Sequence, residues 1–153
     1  MRLRRATDAD GDTLVTLHER ALRDAGTDPA DVPGTDDLRS VEASFFAEGG
    51  EFLVLEDEGE VVAMGGYRPA DDATVELFRI AVAPARQREG LGDRIVDTLE
   101  RRARVHGFER VVLETVIEQE AAAQFYPARG YEETHRGETE SGNYTLLRFE
   151  KRL

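Results

Sequence analysis

Apolar residues recur along the chain in two rhythms. Leu14, Leu17, Ala21 and Leu22 fall at three- and four-residue spacing, which predicts a helix over residues 8–24. Ahead of it, Thr7 and Asp10 have the spacing of a capping box, with Asp in place of the usual Glu. Leu38, Val41, Phe45 and Phe46 predict a second helix that Thr35 can cap and Gly49-Gly50 ends. Pro29, Pro33 and Gly34 mark residues 28–34 between the two as a loop. Leu91, Ile95, Leu99 and Ala103 define one face of a helix over 91–105, closed by Gly107. A fourth helix spans 119–128 and ends at Gly130. Shorter apolar runs read as strands over 2–6, 51–56, 60–68, 74–82, 110–115, 132–136 and 144–150. Asp57-Glu58-Gly59, Asp71-Asp72 and Ser141-Gly142-Asn143 supply turns. Within 74–82, the apolar Val75, Leu77, Ile80 and Val82 break strict alternation, which fits either a bulge or a buried strand.

The order is β-α-α-β-β-β-α-β-α-β-β. Hairpins precede a strand-helix-strand unit, so the expected fold is of the α/β (α+β) type: a mixed, mostly antiparallel central sheet of about six to seven strands flanked by four helices. No internal repeat or linker interrupts the 153 residues, and a single domain over 1–153 is expected.

Composition narrows the function classes. The chain has no cysteine, which excludes disulfides, thiolate metal sites and a cysteine nucleophile. His18, His106 and His135 are scattered without metal-ligand spacing, so no metal is expected. His106 stands near a helix C-terminus, where it complements the dipole, and Arg101-Arg102-x-Arg104 reads as a solvated helix face. No apolar run reaches the length of a membrane span, and the first residues lack the apolar core of a signal peptide; a cytoplasmic protein is expected. Acidic residues number 32 against 20 basic ones, for a net charge of −12, and Lys151 is the single lysine. Such an acidic, lysine-poor surface fits a salt-loving (halophilic) host, where self-repulsion is screened. It argues against nucleic acid as a partner, which needs a basic stripe, and it would suit a cationic substrate. A host-wide acidic surface would produce the same charge.

The most informative stretch is Val82-Ala83-Pro84-Ala85-Arg86-Gln87-Arg88-Glu89-Gly90-Leu91-Gly92-Asp93, which joins a strand pattern to a helix pattern. Two glycines one residue apart let backbone N–H groups converge at a helix N-terminus. There the helix dipole and the unpaired N–H groups favour an anion, typically a phosphate. The bland alternative is a tight turn in which Gly90 and Gly92 serve geometry alone.

This stretch resembles the signature of the GCN5-related N-acetyltransferases, Q/R-x-x-G-x-G/A after a strand ending in V-x-P, through Val82, Pro84, Gln87, Gly90 and Gly92. A second family signature, A-x-x-F/L-Y-x-x-x-G-F/Y, is similar to Ala122-x-x-Phe125-Tyr126-x-x-x-Gly130-Tyr131. The likeness covers residues 52–131 well and the first 50 in outline. It implies the acyl-CoA N-acyltransferase fold and acetyl-CoA as co-substrate. The pyrophosphate would rest on backbone N–H groups of Arg88, Glu89, Gly90, Leu91, Gly92 and Asp93, beside Gln87. The pantetheine arm would pair with Ile80, Ala81 and Val82, near Gln119 and Phe125. A backbone N–H there would polarise the thioester carbonyl. The amine would attack directly, which fits the absence of cysteine.

The resemblance makes Tyr126 the acid that protonates the departing thiolate, since a phenol near pKa ~10 holds its proton at neutral pH. Glu76, eleven residues before Gln87, becomes the general base, with Glu114 a weaker rival. The plain alternatives are a core aromatic and a solvated strand glutamate. The family's asparagine seven residues before the tyrosine is Gln119 here, and its frequent glycine after Gln87 is Arg88, which could reach a CoA phosphate. The acceptor would be a small-molecule or peptide amine, with no membrane partner, and a homodimer is plausible for the family. An inactive CoA-binding module of the same fold, or a nucleotide-phosphate binder, would share the glycine turn.

Overall fold

A computed structural model describes residues 1–31 and 34–153. Pro33 of the expected 28–34 loop lies outside the described residues. Seven strands, β1 (Arg2–Arg5), β2 (Glu51–Asp57), β3 (Glu60–Pro69), β4 (Thr74–Val82), β5 (Arg110–Val116), β6 (Glu132–Glu138) and β7 (Thr145–Arg152), form one sheet in the order β1-β2-β3-β4-β5-β7-β6. Every neighbouring pair is antiparallel except β4 and β5. The helices are α1 (Gly11–Asp24), α2 (Asp36–Arg39), α3 (Leu91–Val105) and α4 (Glu120–Phe125). The mixed, mostly antiparallel sheet expected from the pattern is what forms.

Alternation along the strands feeds two cores. Leu53 and Leu55 of β2 face α3, where Ile95, Val96, Leu99 and Ala103 are fully buried. Phe52 and Val54 point the other way, onto Leu14 and Leu17 of α1 and onto Phe45. Burying each such side chain contributes about 1.5–3 kcal/mol. Truncating Leu99 to alanine would cost about 2–5 kcal/mol, because the side chain is fully buried in this core.

β4 carries a bulge. Its ladder with β3 pairs Gly66 with Phe78 and Met64 with Ala81, so one extra residue stands between, and Arg79 takes a left-handed φ of 61°. The extra residue resets the phase. Val75 and Leu77 before it, and Ile80 and Val82 after it, all meet the α3 core, while Phe78 and Ala81 meet the α1 core. Of the two explanations for the broken alternation, the bulge holds. Gly65 stands opposite, where a Cβ would lie 2.4 Å from Ile80 Cδ1 and 2.9 Å from Ile95 Cγ2.

Two helices are shorter than their patterns predict. The second is one α turn, Asp36–Arg39, followed by a π-helical turn over Glu42–Phe46. Ser40 stands at the break, its hydroxyl donating to Asp36 O at 2.7 Å, a local bond that competes with helix continuation. Thr35 occupies the N-cap position but forms no side-chain cap bond. α4 stops at Phe125 because Pro127 cannot continue it, and a 3₁₀ turn, Pro127–Arg129, leads to Gly130 at φ 90°. The first helix begins as expected, with the Thr7 N–H donating to Asp10 Oδ2 at 2.8 Å over a 3₁₀ turn that runs into α1. His106 caps α3, its Nδ1 2.7 Å from Arg102 O. Arg102 departs from a merely solvated face: it reaches the buried Glu51 carboxylate at 3.0 Å. No helix among the described residues is long and apolar enough to cross a membrane.

The feature that positions the site is the single parallel pair. β4 and β5 are in register from Thr74↔Arg110 to Glu76↔Val112 only. Beyond that, β4 keeps β3 and β5 keeps β7 on their outer edges, and the facing edges have no partner strand. A gap opens in the middle of the sheet.

Candidate active site

One side of the gap is closed by the glycine turn. β4 ends at Val82, Pro84–Arg86 makes a 3₁₀ turn, and Gly90 at φ 77° caps α3. The first helical bond runs from the Arg94 N–H to Gly90 O at 3.2 Å, which leaves the N–H groups of Leu91, Gly92 and Asp93 at the open helix end. Arg86 anchors the turn by pairing with Asp57 at 2.9 Å and Glu89 at 3.0 Å. Asp93 would oppose an anion there, but it pairs with Arg129, whose guanidinium stacks 4.1 Å from the Phe125 ring centre. Phe125 in turn lies over Gly92, where a Cβ would sit 3.4 Å from the ring. Arg88 has no ion-pair partner among the described residues and takes φ 66°, a left-handed conformation unusual for a residue with a side chain. The turn therefore presents open N–H groups and one uncommitted cation.

A cleft of about 600 Å³ runs from this turn along the free edge of β4 to α4. Of the residues expected to hold a cofactor, Ile80, Ala81, Val82, Gln87, Arg88, Gly90, Leu91, Gly92, Asp93, Gln119 and Phe125 all line it. Glu89 belongs to the same turn, and its carboxylate is turned to Arg86. An unpaired strand edge beside a helix N-terminus suits a molecule that is amide-bearing at one end and phosphorylated at the other.

A second cleft of about 740 Å³ opens on the other side of the gap. Glu76, Glu114, Arg68, Arg79, His18 and Tyr144 are among its walls. The two clefts share Ile80, Gln119, Ala122 and Tyr126, so they meet at those four residues. Tyr126 is 6% exposed, wedged edge-on between Phe125 at 5.0 Å and Tyr131 at 5.5 Å. Burial pushes its phenol well above the ordinary value, so it keeps its proton. Its hydroxyl has no hydrogen-bond partner among the described residues. Glu76 is half-buried, and burial, then the like charge of Glu114, holds its carboxyl above the usual range; Arg148 and Arg68 pull the other way.

Several wall residues carried no readable signal in the sequence. Arg79, presented by the bulge, is bidentate to Asp37 at 3.1 and 3.0 Å, donates to Gly34 O at 2.7 Å, and lies 3.0 Å from His18 Nε2. Burial, then Arg79, depresses His18 to about 4, so the ring is neutral and its Nε2 accepts from Arg79. Gln119, singled out in the sequence beside the pantetheine, has a partner the sequence does not show: it donates its side-chain N–H to the buried Thr27 Oγ1 at 2.9 Å, tying the loop after α1 to the point where the two clefts meet and leaving its carbonyl oxygen free of that bond. Tyr144 donates to Asp31 at 2.9 Å from the far side. No cluster of three or more His, Asp or Glu able to hold a metal occurs among the described residues.

The fold, a sheet split at one parallel pair with a glycine-capped helix at the split, is shared with solved acetyltransferases. The chain superposes on an acetyltransferase of the GNAT family from Staphylococcus aureus with a TM-score of 0.85 at 18% identity, covering 99% of this chain and 98% of that one. It superposes on a putative acetyltransferase from Salmonella typhimurium, solved with its cofactor acetyl-CoA, with a TM-score of 0.80 at 23% identity, covering 100% and 94%. The model of the acetyltransferase (GNAT) family matches residues 14–131, and the chain belongs to that family. Human N-acetyltransferase 8 is 32% identical over 114 residues, 71% of this chain and 50% of that protein. Mouse N-acetyltransferase family 8 member 3 is 37% identical over 93 residues, 58% of this chain and 40% of that protein. The chain thus spans about half the length of the curated relatives it matches.

Proposed function

We propose that the chain is an acetyl-CoA-dependent N-acetyltransferase that moves the acetyl group to a primary amine by direct attack. The observation that carries this reading is the meeting of the two clefts at Tyr126. A donor entering from one side and an acceptor from the other would touch there and nowhere else. Acetyl-CoA supplies the activated acyl group as a thioester. The N–H groups at the start of α3, with Arg88, hold its pyrophosphate. The free edge of β4 over Ile80–Val82 pairs with its pantetheine amides. An N–H of the same edge donates to the thioester oxygen, whose charge grows as the carbonyl carbon is attacked.

The acceptor's ammonium must lose a proton before its nitrogen can attack. Glu76 takes that proton through water, and its raised affinity for protons suits the task. The C–N bond forms as the C–S bond breaks, and the nitrogen sheds its second proton to water. The thiolate leaves towards Tyr126, which gives it the phenolic proton and is restored from solvent. The test is thiol release from acetyl-CoA across a panel of amines, with mass-spectrometric detection of the N-acetyl product. Release matched by product on at least one amine is expected. Tight CoA binding with no release on any amine would replace the enzyme by a CoA-binding module.

A further inference from the structure

The acceptor cleft holds two guanidinium groups with very different partners. Arg79 is fully engaged by Asp37, Gly34 and His18. Arg68, which is half-buried, has neither an ion pair nor a hydrogen bond to its guanidinium among the described residues. Its guanidinium instead lies 4.2 Å from the ring centre of Phe78 and 4.8 Å from that of Phe45. Ring contacts of this kind hold the flat faces of a guanidinium and leave the N–H edges unsatisfied. The edges form a rigid fork that matches a carboxylate.

Directly across the β3–β4 ladder from Arg68 stands Glu76. Cross-strand partners send their side chains out of the same face, about 5 Å apart. The two groups nonetheless form no ion pair, because the rings hold the guanidinium to one side. The cleft therefore offers a cation and an anion that feel each other's charge, as Glu76 also feels Arg148, but make no direct contact. A molecule with an ammonium and a carboxylate on one carbon is the complement of that pattern.

We infer that Arg68 binds a carboxylate and that the acceptor is a free α-amino acid, its ammonium on Glu76 and its carboxylate in the Arg68 fork. This rests on the acetyltransferase reading above, since the ammonium on Glu76 is the one deprotonated and acetylated. A purely cationic acceptor such as a diamine fits less well. Among the other acids in the cleft, Asp37 is engaged by Arg79, Asp31 accepts from Tyr144, and Glu114 lies 3.9 Å from Arg148; Glu140, which has no partner among the described residues, is solvent-exposed, where an ion pair contributes little. Such an acceptor would also leave the half-buried Arg68 cation unpaired beside a like charge. Leu22, Leu113, Val116 and Leu146 line the same cleft and offer an apolar wall to an amino-acid side chain.

The test compares kcat/KM for the L-amino acids, their α-amides, the matching decarboxylated amines and a diamine. The best acceptor is expected to be a free amino acid, exceeding its own amide and decarboxylated amine by about 10- to 100-fold, as for a charge-assisted recognition contact. Arg68→Gln should collapse that ratio to within about threefold, and Arg68→Lys, which keeps the charge without the fork, should fall between. Acetylation of amides, simple amines or the diamine at least as fast as of any free amino acid overturns the inference and leaves the acetyltransferase reading standing. No acetylation of any member of the panel overturns both. The wild-type panel decides the matter even if the Arg68 variants fail to fold.

Discussion

Replacing Arg88 by glycine should move stability and cofactor affinity in opposite directions. Arg88 sits at φ 66°, where a side chain costs roughly 1–2 kcal/mol and glycine costs nothing. Glycine gives back about 0.5–1 kcal/mol through the greater freedom of the unfolded chain. The net gain is about 0.5–1 kcal/mol, which for a chain of this size raises Tm by about 1–4 °C. The same change removes the one cation of the glycine turn that has no partner among the described residues. Affinity for CoA at low salt should then fall about 2- to 10-fold, and the gap between variant and wild type should narrow as salt screens the exposed charge. Thermal unfolding and calorimetric CoA titration at two ionic strengths read both effects. Arg88→Asn is the companion variant, since asparagine tolerates the left-handed region without carrying charge; it should lose affinity with little change in Tm. A lower Tm for Arg88→Gly, or unchanged CoA affinity at low salt, would refute the account of this position.

The other predictions follow from the residues where the two clefts meet and from the walls of the second cleft. Tyr126→Phe should lower kcat about 100-fold or more while leaving Tm equal or higher, because the hydroxyl has no partner to lose; steady-state kinetics beside thermal unfolding checks both. Glu76 is held above the usual carboxylate range, so kcat/KM should rise with pH through that raised value, and Glu114→Gln, by removing a like charge, should move this acid limb to lower pH; a limb that stays put would remove Glu76 from the role of base. His18 keeps its neutral ring down to about 4 in the fold, against 6.5 for the free side chain. Protons therefore favour the unfolded chain between those values: its contribution is complete above pH 6.5 and is lost as pH falls towards 4, by about 2–3 kcal/mol in all. Urea unfolding at neutral pH and near pH ~5 should show the loss, and His18→Gln should flatten it.

What the sequence conveyed and what it concealed divide along local and long-range lines. The glycine turn was legible because strand, proline, glycines and helix are contiguous, and the same holds for Phe125-Tyr126. The mixed, mostly antiparallel sheet was legible from hairpin spacing and one strand-helix-strand unit, whereas the insertion of β7 between β5 and β6 is a long-range pairing that local patterns do not carry. The bulge registered only as a broken alternation, because a single inserted residue at Arg79 changes phase without changing composition. The second helix read as longer than it is because Ser40 stops it by a bond to Asp36 that hydrophobic spacing does not reveal. The partners of Arg79 lie on α1, α2 and the loop between them. Gln119 finds Thr27 from 92 residues away. Arg68 is ordinary in the sequence; only the register that sets it against Glu76 and the rings of Phe45 and Phe78 gives it meaning.

In the proposed reaction donor and acceptor enter from opposite clefts and are bound together when the amine attacks the thioester. Initial rates measured over a grid of acetyl-CoA and amine concentrations test this most directly. Double-reciprocal lines that intersect, with one thiol released per N-acetyl product and no acetylated protein in the mass spectrum, are the predicted result. Parallel lines, with an acetylated chain accumulating when the amine is withheld, would contradict it.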